Sequence, residues 1–262
     1  MKEIIIAIIV LGGLGTIFGL GLSWASRVFA VKIDERVSKL RDILPGANCG
    51  ACGFPGCDGF AFAVADGKAK GNGCSVGGES VTMQIAEIMG LELPVGDKLV
   101  ARVLCKGACK TAQEKYAYYG LDDCFAASQA FGGHKACSYG CLGHGTCVRA
   151  CPFQAIVITN GVASVIQENC RSCEKCIASC PKGLIKMIPI KAQYSILCNS
   201  LDKGAITKQN CKVGCIGCGR CVKICPVGAI SMKDSLAKID PSLCTNCDAC
   251  IGICPVNSIQ KC

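Results

Sequence analysis

The sequence predicts an α+β chain: an apolar N-terminal helix, a small helical cysteine-rich domain, and two tandem copies of a cysteine-rich module built on short strands and helices. Three observations predict it. Residues Ile4 to Ser26 hold no charged side chain. Four cysteines, Cys49, Cys52, Cys57 and Cys74, follow in a glycine-rich context. Beyond residue 100 the cysteines recur in a fixed figure, and a shift of 74 residues superimposes one set on the other without a gap.

The uncharged N-terminal run is long enough to cross a bilayer at helical rise. A signal peptide would have a shorter apolar region and a more basic start than Met1-Lys2-Glu3. Arg27, Lys32, Arg36, Lys39 and Arg41 follow the span, so the excess of positive charge predicts a single pass with the N-terminus out and the bulk of the chain cytoplasmic. Gly12, Gly15 and Gly19 would let another membrane helix approach closely.

From about Val31 to Leu44, Ile33, Val37, Leu40 and Leu44 share one helical face, and Pro45-Gly46 stops the pattern. This predicts a stalk helix. The loop N-C-G-A-C-G-F-P-G-C and the distant Cys74 suit a [4Fe-4S] cube, with zinc as the alternative. Helices are predicted over Asp58 to Ala65 and Ser80 to Met89, with the domain ending near Val95-Gly96.

The repeated figure is most complete at the end of the chain. Cys215, Cys218 and Cys221 stand two residues apart and Cys225-Pro226 follows; Cys244, Cys247, Cys250 and Cys254-Pro255 repeat it. This is the bacterial ferredoxin run, in which three thiolates hold one cube and the cysteine before proline reaches the neighbouring one. The predicted sets are therefore Cys215, Cys218, Cys221 with Cys254, and Cys225 with Cys244, Cys247, Cys250. In the earlier copy the sets are Cys141, Cys147 and Cys180 with one further ligand, and Cys151 with Cys170, Cys173, Cys176. That further ligand is open, because His144 stands where the later copy has Cys218; Cys137 is assigned on the preference of cubes for thiolate, with His144 the alternative.

The same shift matches Cys124 with Cys198 and Cys137 with Cys211. Five cubes leave Cys105, Cys109, Cys124, Cys198, Cys211 and Cys262 over. These supply a sixth cluster from Cys105, Cys109 and Cys124 with Cys198 or Cys211, or stay as buried thiols.

Asn160-Gly161 and Asp234-Ser235 predict hairpin turns between short strands. Helices of two or three turns are expected after each cysteine triplet, another over Thr111 to Tyr119, and a loop at Phe131-Gly132-Gly133. The predicted divisions are residues 1–30 (membrane anchor), 31–97 (stalk helix and single-cluster domain), 98–192 (first dicluster module with its extra cysteine segment) and 193–262 (second module).

With 26 cysteines and 5% aromatic residues, inorganic clusters must replace much of a conventional core. A disulfide framework has no reason to repeat CxxCxxCxxxCP, and zinc ribbons would leave the middle cysteine of each run idle. Residues 1–99 carry 9 Lys+Arg against 10 Asp+Glu, and residues 100–262 carry 19 against 9. Oxidised four-thiolate cubes bring roughly two negative charges each, so five of them offset that surplus and nucleic-acid binding is not needed to explain it. Arg149, Lys175, Lys182, Lys212, Arg220 and Lys223 stand at loop rims, either neutralising the clusters or docking an acidic soluble electron carrier.

The anchor, the N-C-G-A-C-G-F-P-G-C domain and the ferredoxin modules, in this order, resemble the B component of the Rnf complex, in its longer two-module form. That resemblance implies an iron–sulfur electron-transfer subunit of an ion-translocating ferredoxin:NAD oxidoreductase in the inner (cytoplasmic) membrane. Soluble ferredoxin would be the donor, and other membrane and flavin- or NAD-binding subunits the partners. No glycine-rich nucleotide loop, nucleophile–base pair or flavin pattern occurs in the chain itself. The rival readings are an electron-transfer subunit of another anaerobic membrane oxidoreductase and a membrane-bound iron–sulfur redox sensor.

Overall fold

The computed structural model describes residues 2–29, 34–94 and 96–261. The expectations that fall on Lys32, Ile33, Val95 and Cys262 lie outside those residues.

Helix α1, Lys2–Val28, is the apolar N-terminal segment. Its Ile9, Leu11, Leu20 and Leu22 are exposed, and it is the one helix among the described residues long and apolar enough to cross a membrane. Gly12, Gly15 and Gly19 face open space.

Helix α2, Glu35–Ile43, starts where the Asp34 carboxylate accepts the amide of Arg36 at 2.9 Å. It ends at Leu44-Pro45, since the residue before proline is held out of the helical region. Val37, Leu40 and Leu44 are buried against Phe60 and Val64 of α3, Cys57–Ala65, and against Val81 and Ile85 of α4, Gly78–Met89. The expected stalk is therefore a wall of the single-cluster domain. Its apolar face is satisfied within that domain, leaving nothing to act as a free spacer.

Each of the following modules is built from two antiparallel strand pairs. In the first, β1, Leu99–Val103, pairs with β4, Ile185–Pro189, and β2, Ile156–Thr159, pairs with β3, Val162–Val165. In the second, β5, Tyr194–Ile196, pairs with β8, Ile259–Lys261, and β6, Ile230–Lys233, pairs with β7, Leu236–Ile239. Both predicted hairpin turns form with two left-handed residues, Asn160 and Gly161 at φ 51° and 74°, and Asp234 and Ser235 at φ 48° and 61°.

Two expectations are corrected. The helices after the cysteine triplets, α6 Thr146–Ala150, α7 Lys175–Ala178, α9 Arg220–Ile224 and α10 Ala249–Gly252, have four or five residues rather than two or three turns. Cys151 and Cys225 each precede a proline and take extended conformations, which ends α6 and α9. Thr111 to Tyr119 is not helical: its edge forms isolated bridges Ala112 to Cys211 and Glu114 to Lys135, and these tertiary pairings override a modest helix propensity. Helix α5, Cys124–Gln129, and α8, Gly204–Asn210, complete the elements.

Candidate iron–sulfur centres

Cysteines make up much of each module's interior: Cys141, Cys147, Cys170 and Cys176 lie in one apolar cluster with Ile156 and Ile185, and Cys221 and Cys250 in another with Ile230 and Ile259.

In the N-terminal domain Cys49, Cys52, Cys57 and Cys74 line one cavity of about 340 Å³. The Asn48 side chain, on a left-handed backbone, accepts the Cys57 amide at 2.8 Å and so folds the loop back on the start of α3. Cys74 Sγ accepts the Gly77 amide at 3.4 Å. Burial pushes the Cys74 thiol up, and the charges of Cys57, Cys52 and Cys49 push it further.

In the second module Cys215, Cys218, Cys221 and Cys254 line a cavity of about 350 Å³, as the spacing predicts. Cys225 Sγ accepts the Ala229 amide and Cys254 Sγ the Ser258 amide, both at 3.3 Å. Burial raises Cys250 to about 11, and Cys244 and Cys247 add to it. In the first module Cys176 is likewise raised to about 11 by burial, with Cys173, Cys170 and Cys151 the charges acting on it.

The remaining centre departs from the sequence reading. Its cavity, also about 350 Å³, is lined by Cys124, Cys141, Cys147 and Cys180, and Cys137 is not among them. Burial raises Cys147 to about 12, and Cys141, Cys124, Cys180 and Cys176 are the charges that act on it. Cys124 is the first residue of α5. The N-cap carboxylate of Asp123 accepts the amides of Phe125 and Ala126, the Thr146 hydroxyl at 2.9 Å and Arg149 Nη2 at 3.0 Å, fastening α5 to the cluster loop. The Cys124 amide itself donates to Thr146 Oγ1 at 2.7 Å.

His144 is outside that thiol set. Its Nδ1 pairs with Asp122 at 2.9 Å, and its ring packs against Tyr118 and His134, with centroids 5.1 and 5.3 Å away. The sequence held a signal for the place of Cys124: His144 stands at the position of Cys218, and the extra cysteine segment upstream carries Cys124 directly after an aspartate.

Of the leftover cysteines, Cys105 and Cys211 lie with Cys137, and Cys198 lies beside Cys215. Cys109 is exposed and packs on the Asn160-Gly161 turn, its amide donating to Asn160 O at 3.0 Å. Two of the six rim cations are structural: Lys182 Nζ binds the carbonyls of Gly132 and Ser138, and Arg149 binds Asp123 and the carbonyl of His144. Lys175, Lys212, Arg220 and Lys223 are exposed.

Four converging thiols ionise together only where a cationic centre offsets their repulsion. The four-cysteine linings and the amides aimed at sulfur fit [4Fe-4S] cubes.

Family comparisons agree with these positions. An Fe-S cluster family model matches residues 44–76, a 4Fe-4S dicluster domain 214–258, and 4Fe-4S binding domains 141–155 and 167–183. The chain is 46% identical over 245 residues to the B component of the Na(+)-translocating ferredoxin:NAD(+) oxidoreductase complex of Acetobacterium woodii, covering 93% of this chain and 74% of that protein. It is 39% identical over 246 residues to the B component of the proton-translocating ferredoxin:NAD(+) oxidoreductase complex of Clostridium ljungdahlii, covering 93% and 87%. To the B component of the ion-translocating oxidoreductase complex of Methanosarcina acetivorans it is 42% identical over 247 residues, covering 94% of each.

Proposed function

The chain belongs to the family formed by the B components of ion-translocating ferredoxin:NAD oxidoreductase complexes, and we propose that it is the membrane-anchored conductor taking electrons from reduced ferredoxin toward the rest of the complex. A [4Fe-4S] cube supplies reversible one-electron chemistry when bound. The five sets that would hold such cubes are Cys49, Cys52, Cys57, Cys74; Cys151, Cys170, Cys173, Cys176; Cys124, Cys141, Cys147, Cys180; Cys215, Cys218, Cys221, Cys254; and Cys225, Cys244, Cys247, Cys250.

The observation that carries this reading is the contiguity of those sets. Ser75, next to Cys74, donates to the carbonyl of Ser172, next to Cys173, at 3.1 Å. Cys49 and Cys151 are among the charges acting on Cys173, so the N-terminal domain abuts the first module at its ligand loops. Cys176 and Cys180 both act on Cys147, and Cys221 acts on Cys250, which joins the two sets inside each module.

Residues around the sulfurs tune and insulate. Backbone amides donating to Sγ favour the more negative, reduced state, and the apolar shell keeps water from buried thiolates such as Cys147, Cys176, Cys221 and Cys250. Cys218 and Cys247 are exposed cysteines of the second module, with Arg220 and Lys223 close in the chain to the former. That cationic rim suits an acidic ferredoxin, so we assign electron entry to the second module. Arg27 and the basic residues of α2 follow the apolar helix, which supports a cytoplasmic position for the modules.

The test is ferredoxin-driven NAD reduction by membranes carrying the complex. Cys218→Ser and Cys247→Ser should abolish it while the chain still inserts and still retains the iron of its N-terminal domain. Undiminished turnover in both variants would remove the second module from the route.

A further inference from the structure

We propose that Cys105, Cys137, Cys198 and Cys211 hold a sixth [4Fe-4S] cluster, on a pseudo-two-fold axis between the two modules. The inference rests on the five-centre reading above and adds the piece that joins its two halves.

The equivalence of these cysteines is structural rather than one of uniform sequence shift. Val103 ends β1 opposite Ile185, and Ile196 ends β5 opposite Ile259. Cys105 and Cys198 each stand two residues beyond. Cys105 Sγ accepts the amides of Gly107 and Cys141, both at 3.4 Å. Cys198 accepts the amides of Ser200 and Cys215, the same two positions in the second module. Cys137 and Cys211 correspond as well, each carbonyl accepting the amide three residues on, from Gly140 at 3.2 Å and Gly214 at 3.3 Å. Amides aimed at sulfur in this way are also what the ligands Cys74, Cys151, Cys225 and Cys254 receive.

The modules then face one another across an approximate two-fold. Two clefts, of about 950 and 910 Å³, lie between them. One is lined by β1 and β3 of the first module and closed by Leu197 of the second; the other is lined by β5 and β7 of the second and closed by Leu104 of the first. Exchanging the modules exchanges the clefts. Leu104 and Leu197 adjoin the axis, and so do the cysteines that follow them.

The sulfurs converge there. A Cβ at Gly107 would stand 3.6 Å from Cys211 Sγ and 3.7 Å from Cys105 Sγ. Cys105 and Cys211 are the thiols acting on Cys137, and Cys137 acts on Cys198. Main-chain bonds clamp the site shut, from Lys212 N to Thr111 O at 2.8 Å and from Gln113 N to Asn210 O at 2.9 Å.

A buried cation beside the site lacks a counter-ion. Lys135 is 2% exposed, and its Nζ donates only to the carbonyls of Gly107, at 2.8 Å, and Gly161, at 2.9 Å. Among the described residues no carboxylate pairs with it. A buried ammonium without an anion is strongly disfavoured, and a four-thiolate cube provides one.

The location gives the site its use. Cys105 takes an amide from Cys141, a ligand of the first module's inner centre, and Cys198 takes one from Cys215, a ligand of the second's. A cluster held there bridges the two modules.

Iron, acid-labile sulfide and zinc are to be counted on the anaerobically prepared full chain. The proposal expects about 24 irons per chain and no zinc. About 20 irons without zinc would overturn the sixth site, and about 20 with one zinc would overturn the cube while keeping the ligands. Only a few irons would instead sink the five-centre reading beneath it. Cys105→Ser and Cys198→Ser should each lose about four irons, and the double variant no more than either, whereas Cys109→Ser should lose none. Loss in Cys109→Ser with retention in Cys198→Ser would overturn the ligand set. The wild-type count decides the site even if a variant fails to fold.

Discussion

Replacing the buried Lys135 by Met tests the electrostatics of the junction directly. Burial dominates the thiols of Cys105 and Cys141, pushing both up, and the Lys135 ammonium acts on both in the opposite sense. Removing that charge destabilises whichever redox state is more negative, so the midpoint of the centre held by Cys141 should fall. Over about 4 to 8 Å at an effective dielectric of about 20, a unit charge is worth about 2 to 4 kcal/mol. For a one-electron couple, where a tenfold change is about 59 mV, this corresponds to about 90 to 170 mV. Methionine has a similar length, so the cavity stays filled, but the carbonyls of Gly107 and Gly161 lose their donor. The assay is an anaerobic redox titration followed by electron paramagnetic resonance, with Lys135→Arg as the charge-conserving control and iron counted in every sample. A midpoint that moves by less than about 20 mV, or moves upward, with iron unchanged would refute the reasoning.

Cys124→Ser and Cys147→Ser should act as one unit, so the double variant should lose no more iron than either single change; additive losses would return the ligand position to another residue. Gly143 and Gly217 sit at φ 79° and 66° with a Cβ position 2.6 Å from Gly161 O and 2.7 Å from Ser235 O, so alanine at either should destabilise its module by about 1 to 3 kcal/mol, read by thermal unfolding under anaerobic conditions. Arg102→Met removes the guanidinium that reaches from β1 to Ser195 Oγ at 3.0 Å and to the carbonyl of Ala192; about 1 to 3 kcal/mol of stability should go with it, with faster proteolysis at residues 190–193. Glu at Arg220 and Lys223 should slow reduction by ferredoxin and flatten its salt dependence in stopped-flow mixing; an unchanged slope would make those cations mere neutralisers.

What the sequence disclosed follows the range of the interactions involved. Cys215, Cys218 and Cys221 were legible because one short loop aims all three at one centre, and the hairpins were legible because Asn160-Gly161 alone dictates the turn. The predicted helix over Thr111 to Tyr119 failed because that segment's partners, Lys135 and Cys211, are remote in the chain. Cys137 was expected beside Cys141, Cys147 and Cys180, and Cys124 lines that cavity instead, for a related reason. The gapless shift is valid from Cys137 onward, but upstream it matches Cys124 with Cys198, whereas the strand ends and the amide–sulfur bonds match Cys105 with Cys198. The first module therefore carries an insertion that a shift preserving cysteine spacing conceals. On the proposed ligand sets it has a physical role: with His144 at the position of Cys218 the inner centre would be one thiolate short, and the insertion brings Cys124, on an aspartate-capped helix, to line that cavity. The same proposal leaves Cys137 for the junction, where Cys105 and Cys211 are the thiols acting on it. That relation depends on how two folded modules pack, and no spacing within either one encodes it.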